Sequence, residues 1–152
     1  MYQIITDGSW DMGSERATRF GVDVVPYYVT MDGEHYLKEI EELDVRDFYQ
    51  FMVDNPKIFP KTSLPTVQDY YDVFEKYAKQ GIDIICFTLS AKFSGSYNSA
   101  RNAGSMILEN YPDIRVTVMD TTLATLMQGL MIQEILRFQR SGADYDKLIK
   151  RA

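Results

Sequence analysis

Two short runs hold the residues best suited to chemistry. One is Lys61-Thr62-Ser63-Leu64-Pro65; the other is Leu89-Ser90-Ala91-Lys92-Phe93-Ser94-Gly95-Ser96-Tyr97-Asn98-Ser99-Ala100. Both are small polar loops placed ahead of helical patterns. The N-terminus of a helix offers unpaired backbone N–H groups and the positive end of the helix dipole, so a loop of this kind can receive an anion. Gly95 lets the backbone approach such an anion closely. The hydroxyls of Thr62 and Ser94 could donate to it, with Ser63 and Ser96 as possible additional donors. Donors of this type are neutral, so no cluster of lysine and arginine is needed around them. Phe93, a large apolar residue beside the loop, could line a tunnel for an acyl chain. Spacing by itself favours a plainer reading, in which Thr62 and Ser94 only cap helices or turns.

Other chemistries have weaker footing. His35 is the single histidine, and no Gly-x-Ser-x-Gly elbow is present, so a Ser–His hydrolase has little to build on. A small-molecule hydrolase or phosphate-binding enzyme using the Ser94 loop remains the alternative. Asp7, Asp11 and Asp120 could share a metal, but capping of turns and helices accounts for Asp7 and Asp120 more simply. Neither a metal nor a cofactor is expected. Cys86, the only cysteine, stands in the apolar run Ile82-Asp83-Ile84-Ile85-Cys86-Phe87 and reads as a buried small hydrophobe. Glu39, Glu41, Glu42 and Asp44 read as a solvated acidic edge, and Tyr70, Tyr71, Phe74 and Tyr77 as core and rim.

The loops need elements to hold them. Residues 2–6 read as a strand ending at Asp7-Gly8-Ser9. Residues 12–20 read as a helix stopped by Gly21, and residues 22–29, rich in β-branched and aromatic side chains, as one strand. Asp32-Gly33 marks a hairpin turn returning through Tyr36. Asp44 is placed to cap a helix over residues 45–53, and residues 60–65 read as an extended loop. Thr66 starts a helix that Gly81 ends. The run at 82–89 predicts a strand buried on both faces, as in a parallel sheet. A helix after Ser94, a strand at 114–119, a long helix up to Gly142 and a further helix after Asp144 complete the pattern. Strands alternating with helices predict an α/β domain with a mostly parallel sheet flanked by helices. Residues 146–152 read as a helix still in progress, which is the expectation for part of a longer protein.

The 152 residues suit one domain with its own core. Hydrophobic residues at 45% and charged residues at 25% are ordinary globular composition. The net charge of -6, with basic residues scattered, disfavours nucleic acid and anionic membrane surfaces as partners. No stretch is apolar enough to predict an integral membrane segment, and the first residues do not resemble a secretion signal, so a cytoplasmic location is expected.

Taken together, several of these pieces resemble the DegV family of fatty-acid-binding proteins. They are Ile5-Thr6-Asp7 with Ser9, Val24-Val25-Pro26, Asp32-Gly33 with Tyr36, Lys61-Thr62-Ser63 with Pro65, Leu89-Ser90 with Ser94-Gly95-Ser96-Tyr97 and Ser99-Ala100, and Asp120-Thr121. The resemblance spans nearly the whole chain and implies a DegV-like N-terminal α/β domain over residues 1–152. The family's C-terminal lipid-covering domain is expected to be absent from this chain. The resemblance further implies a carrier that is not itself an enzyme, with Thr62 and Ser94 holding the carboxylate of a long-chain fatty acid. It also implies a separate fatty acid kinase as partner, to which the lipid is presented. The chain departs from the family pattern at Gly8, where a serine hydroxyl is usual, and at Thr121, where serine is usual.

Overall fold

The computed structural model describes every residue from Met1 to Ala152. Its main sheet holds β1 (Tyr2–Asp7), β2 (Asp23–Val25), β6 (Asp83–Thr88) and β7 (Val116–Asp120) in the order β2-β1-β6-β7, all parallel. Apolar residues that alternate along these strands fall on opposite faces. Ile4, Ile85 and Phe87 pack with Ile132, Ile135 and Leu136 on one side; Ile5, Ile84 and Cys86 pack with Phe74, Ala103 and Ile107 on the other. Both faces are therefore covered, as the apolar run at 82–89 predicts. Helices α1 (Gly13–Phe20), α5 (Thr125–Arg140) and α6 (Tyr145–Arg151) cover the first side, and α3 (Val67–Ala78) and α4 (Ser96–Asn110) the second. Cys86 is fully buried, and burial pushes its thiol well above the ordinary range, which suits a packing residue.

Local chemistry sets the helix ends. The side chain of Asp44 accepts from the N–H groups of Arg46 and Asp47 and starts α2 (Val45–Asp54). Thr66 and Asp69 form a reciprocal capping box at α3. Gly21 closes α1 at φ 72°, a left-handed conformation that costs glycine little.

Two sequence expectations need correction. Residues 22–29 do not form one strand. Pro26, which has no N–H to give a ladder, divides them into β2 and β3 (Tyr28–Thr30), and the two strands join different sheets. Residues 60–65 are not simply a loop, because β5 (Lys61–Ser63) pairs antiparallel with β3. With β4 (Tyr36–Lys38), the return of the expected hairpin, these strands make a second sheet in the order β4-β3-β5. Thr62 pairs with Val29 and Ser63 with Tyr28.

Candidate functional site

The main sheet changes direction between β1 and β6: from β1 the chain moves outward to β2, and from β6 it moves the other way to β7. In open parallel sheets, ligands bind beyond the carboxyl ends of the strands at such a switch point. Asp7, the last residue of β1, stands there and is fully buried. Its Oδ2 accepts from the Leu89 N–H and the Ser96 hydroxyl, both at 2.8 Å, and its Oδ1 accepts from Gln128 Nε2 at 2.9 Å. Burial pushes the Asp7 carboxyl up, while those donors pull the other way; burial prevails. Asp7 thus ties the end of β1 to the loop after β6, the start of α4 and α5. It is a structural anchor whose oxygens are already engaged.

The loop after β6 is held in place above this anchor. Ser94 is half-buried, and its Oγ lies 3.3 Å from the Tyr27 hydroxyl and 3.2 Å from the Ser96 N–H, both of which donate to it. Gly95 is the N-cap of α4. A Cβ on Gly95 would lie 3.2 Å from Leu64 Cδ2, so the two hydroxyl-bearing loops lie side by side at this pair. The fold supplies that contact; sequence separation gives no hint of it.

Thr62 lines a depression of about 270 Å³ with Gly8, Ser9, Asp11, Tyr27, Glu39, Tyr49 and Thr125. Tyr27 connects the sequence-predicted residues: its ring shares the depression with Thr62 and its hydroxyl reaches Ser94. The additional candidates divide. Strand alternation puts Thr62 on the face of Val29 and Leu37, and Ser63 on the opposite face with Tyr28 and Lys38, both of which reach Asp69. Ser96 is fully buried, with its hydroxyl between Asp7 and the Tyr70 hydroxyl, 2.5 Å away; it supports the loop from beneath. Phe93 is 78% exposed.

Glu39 is not part of the solvated edge that its acidic neighbourhood in the sequence suggests: its Oε1 accepts from the Tyr27 N–H at 3.0 Å beside Gly8. Burial pushes the Glu39 carboxyl up, and the charges of Asp7 and Asp11 add to this. No local pattern marks Glu39, Tyr49 or Thr125 as neighbours of Thr62. His35 is far from serving Ser94 as a base, since its Nδ1 pairs with Asp32 in the exposed hairpin. Asp120 accepts from the N–H groups of Ala91 and Thr122, as expected of a turn cap. A larger hollow of about 430 Å³ flanks the edge strand β2 and α1. The hydroxyl-lined depression, beside the end of β1, has the chemistry of a site.

Fold and site define a doubly covered parallel α/β domain with a hydroxyl-lined depression beyond the carboxyl end of β1. The chain belongs to the DegV family: the family model described as "Uncharacterised protein, DegV family" matches residues 1–152. A DegV domain-containing protein of Clostridium perfringens is 32% identical over 148 residues, covering 97% of this chain and 51% of that protein. One from Halalkalibacterium halodurans is 36% identical over 147 residues, covering 96% and 50%. Among solved structures, a stearic acid-binding protein from Eubacterium ventriosum matches with a TM-score of 0.94 at 41% identity, covering 99% of this chain and 51% of that one. A fatty-acid-binding DegV family protein from Thermus thermophilus matches with a TM-score of 0.81 at 27% identity, with 99% and 51% covered. The chain therefore spans about half the length of the relatives it matches. No helix is long and apolar enough to cross a membrane.

Proposed function

We propose that this domain holds the carboxylate of a long-chain fatty acid between the hydroxyls of Thr62 and Ser94, and that it acts as a carrier rather than an enzyme. The observation that carries the reading is the convergence of the two loops: Leu64 lies beside Gly95, where a Cβ would crowd it, and Tyr27 links the depression of Thr62 to the Ser94 hydroxyl. Support comes from the stearic acid-binding relative, 41% identical over almost the whole of this chain. Tyr49 in the depression is 61% exposed, and Leu126, beside Thr125, is 53% exposed. These side chains offer apolar surface on which the start of an acyl chain can lie. A carboxylate held at the mouth of the depression stays within reach of a separate fatty acid kinase, to which the domain would present it in the cytoplasm.

The test is extraction of the purified chain followed by mass spectrometry, then calorimetry with stearate on Thr62→Ala and Ser94→Ala. Each hydroxyl donates to an ionised group, so each loss should weaken binding about tenfold or somewhat more. The pair should nearly abolish it. Ser141→Ala, at the far end of α5, is the control. If both variants fold and bind stearate as tightly as the control, the site is elsewhere. Residues 1–152 should bind more weakly than a full-length relative, because an acyl CH₂ left in water forfeits about 0.8 kcal/mol.

A further inference from the structure

A serine hydroxyl has one hydrogen to donate and two lone pairs to accept with. At Ser94 the surrounding protein fills the accepting side. The Tyr27 hydroxyl stands 3.3 Å away and the Ser96 N–H 3.2 Å away. Tyr27 has one other acceptor in range, Asp7 Oδ2 at 3.5 Å. That oxygen already receives the Leu89 N–H and the Ser96 hydroxyl at 2.8 Å each, and a third donor at 3.5 Å gains little. The Tyr27 hydrogen is therefore directed at Ser94. No protein atom accepts the Ser94 hydrogen, and Ser94 is half-buried, linked to the depression of Thr62 through Tyr27.

We infer that Tyr27 is the positioning residue of the anion site: by donating to Ser94 Oγ it leaves the Ser94 hydrogen free to point outward, which makes Ser94 an obligate donor. This rests on the fatty-acid reading above and sharpens it. A site whose hydroxyl can only donate prefers an acceptor without a hydrogen of its own, so a carboxylate is favoured over an alcohol. Ser96 and Asp7 keep the arrangement fixed, since the hydroxyl of Ser96 is anchored to Asp7 while its N–H is directed at Ser94. Tyr27 in turn is held at its backbone by Glu39.

The experiment is a double-mutant cycle between Tyr27→Phe and Ser94→Ala, with stearate and 1-octadecanol as probes in calorimetry. Phe keeps the ring that lines the depression and removes only the hydroxyl. Losing one hydrogen-bond partner should weaken stearate binding by about three- to tenfold. Octadecanol binding should change less, so the preference for acid over alcohol should shrink. In the Ser94→Ala background, Tyr27→Phe should have no further effect, because its action runs through Ser94. Tyr27→Leu, which also lacks the hydroxyl, gives the same comparison if the Phe chain fails to fold. Equal losses for acid and alcohol, or effects that simply add, overturn the inference while leaving the site standing. A wild-type chain that does not bind stearate overturns both.

Discussion

The carboxylate of Glu39 fills the space beside Gly8 where a side chain at position 8 would go. A Cβ there would overlap Glu39 Oε1 and come within 2.7 Å of its Cδ. The hydroxyl missing at this position relative to the family pattern is therefore matched by a carboxylate arriving from another strand's end.

Gly8→Ser should expel Glu39 and break its hydrogen bond to the Tyr27 N–H. The expected loss is about 1–2 kcal/mol, the cost of an unpaired, partly buried donor. Glu39→Ala in the same chain should relieve the overlap. The double variant should thus be less unstable than the two single effects summed, as read from urea unfolding midpoints. Strict additivity would show that the two residues do not compete for one space.

Glu39→Gln should change the pH profile of binding. Glu39 lines the same depression as Thr62, and its titration is shifted above its ordinary 4.5. As pH rises through that shifted value, Glu39 gains negative charge beside the ligand carboxylate, so stearate affinity should fall across the window above 4.5. Stability should fall across the same window, because the folded chain keeps its proton where the unfolded chain has lost it. The Gln variant keeps the acceptor for Tyr27 and should lose the part of both slopes that Glu39 supplies, leaving the part due to buried Asp7. Calorimetry and urea melts at several pH values decide this, and an unchanged slope would count against it.

Asp69 should contribute to the acid limb of stability. Burial raises its titration, but hydrogen bonds from Thr66 and Tyr28 and the nearby Lys38 outweigh burial and leave it below the ordinary 3.8. A depressed carboxyl stabilises the fold above its unfolded value, and that contribution fades as pH falls through the folded one. Asp69→Asn should cost about 1 kcal/mol at neutral pH, by weakening the capping box, and little at the acid end. Urea midpoints that differ by the same amount at pH 7 and in acid would contradict this.

Gly129→Ala should destabilise the chain although alanine is the better helix former by about 1 kcal/mol. The added Cβ on α5 would collide with the carbonyl oxygen of Trp10 and come within 2.7 Å of Met12 Cε. Overpacking of this kind costs about 1–3 kcal/mol, which exceeds the propensity gain. The displacement would also move Gln128 from Asp7. Thermal unfolding reads the outcome, and a higher melting temperature would mean that the helix can shift without loss.

Local chemistry in the sequence determined a large part of this protein. The consecutive apolar residues Ile84–Phe87 within 82–89 demand burial on both faces, so the parallel sheet follows from them. Asp44, Thr66 and Asp144 cap the helices they were expected to cap, because a cap bonds within its own next few residues. The two hydroxyl loops were visible because small polar residues ahead of helices stand out in any local window. Tertiary structure decided which residues meet. Pro26 had to send the chain into a second sheet before Lys61–Ser63 could become a strand, and that pairing turns Thr62 and Ser63 to opposite faces. Tyr27, Glu39 and Thr125 lie far apart in the chain from Thr62 and share its depression only through that sheet and the register of α5. Contacts between distant segments depend on how faces pack, and packing leaves no mark on the residues nearest in sequence. That is why the two hydroxyl loops could be singled out in the sequence, while the residues that surround them could be read only from the fold.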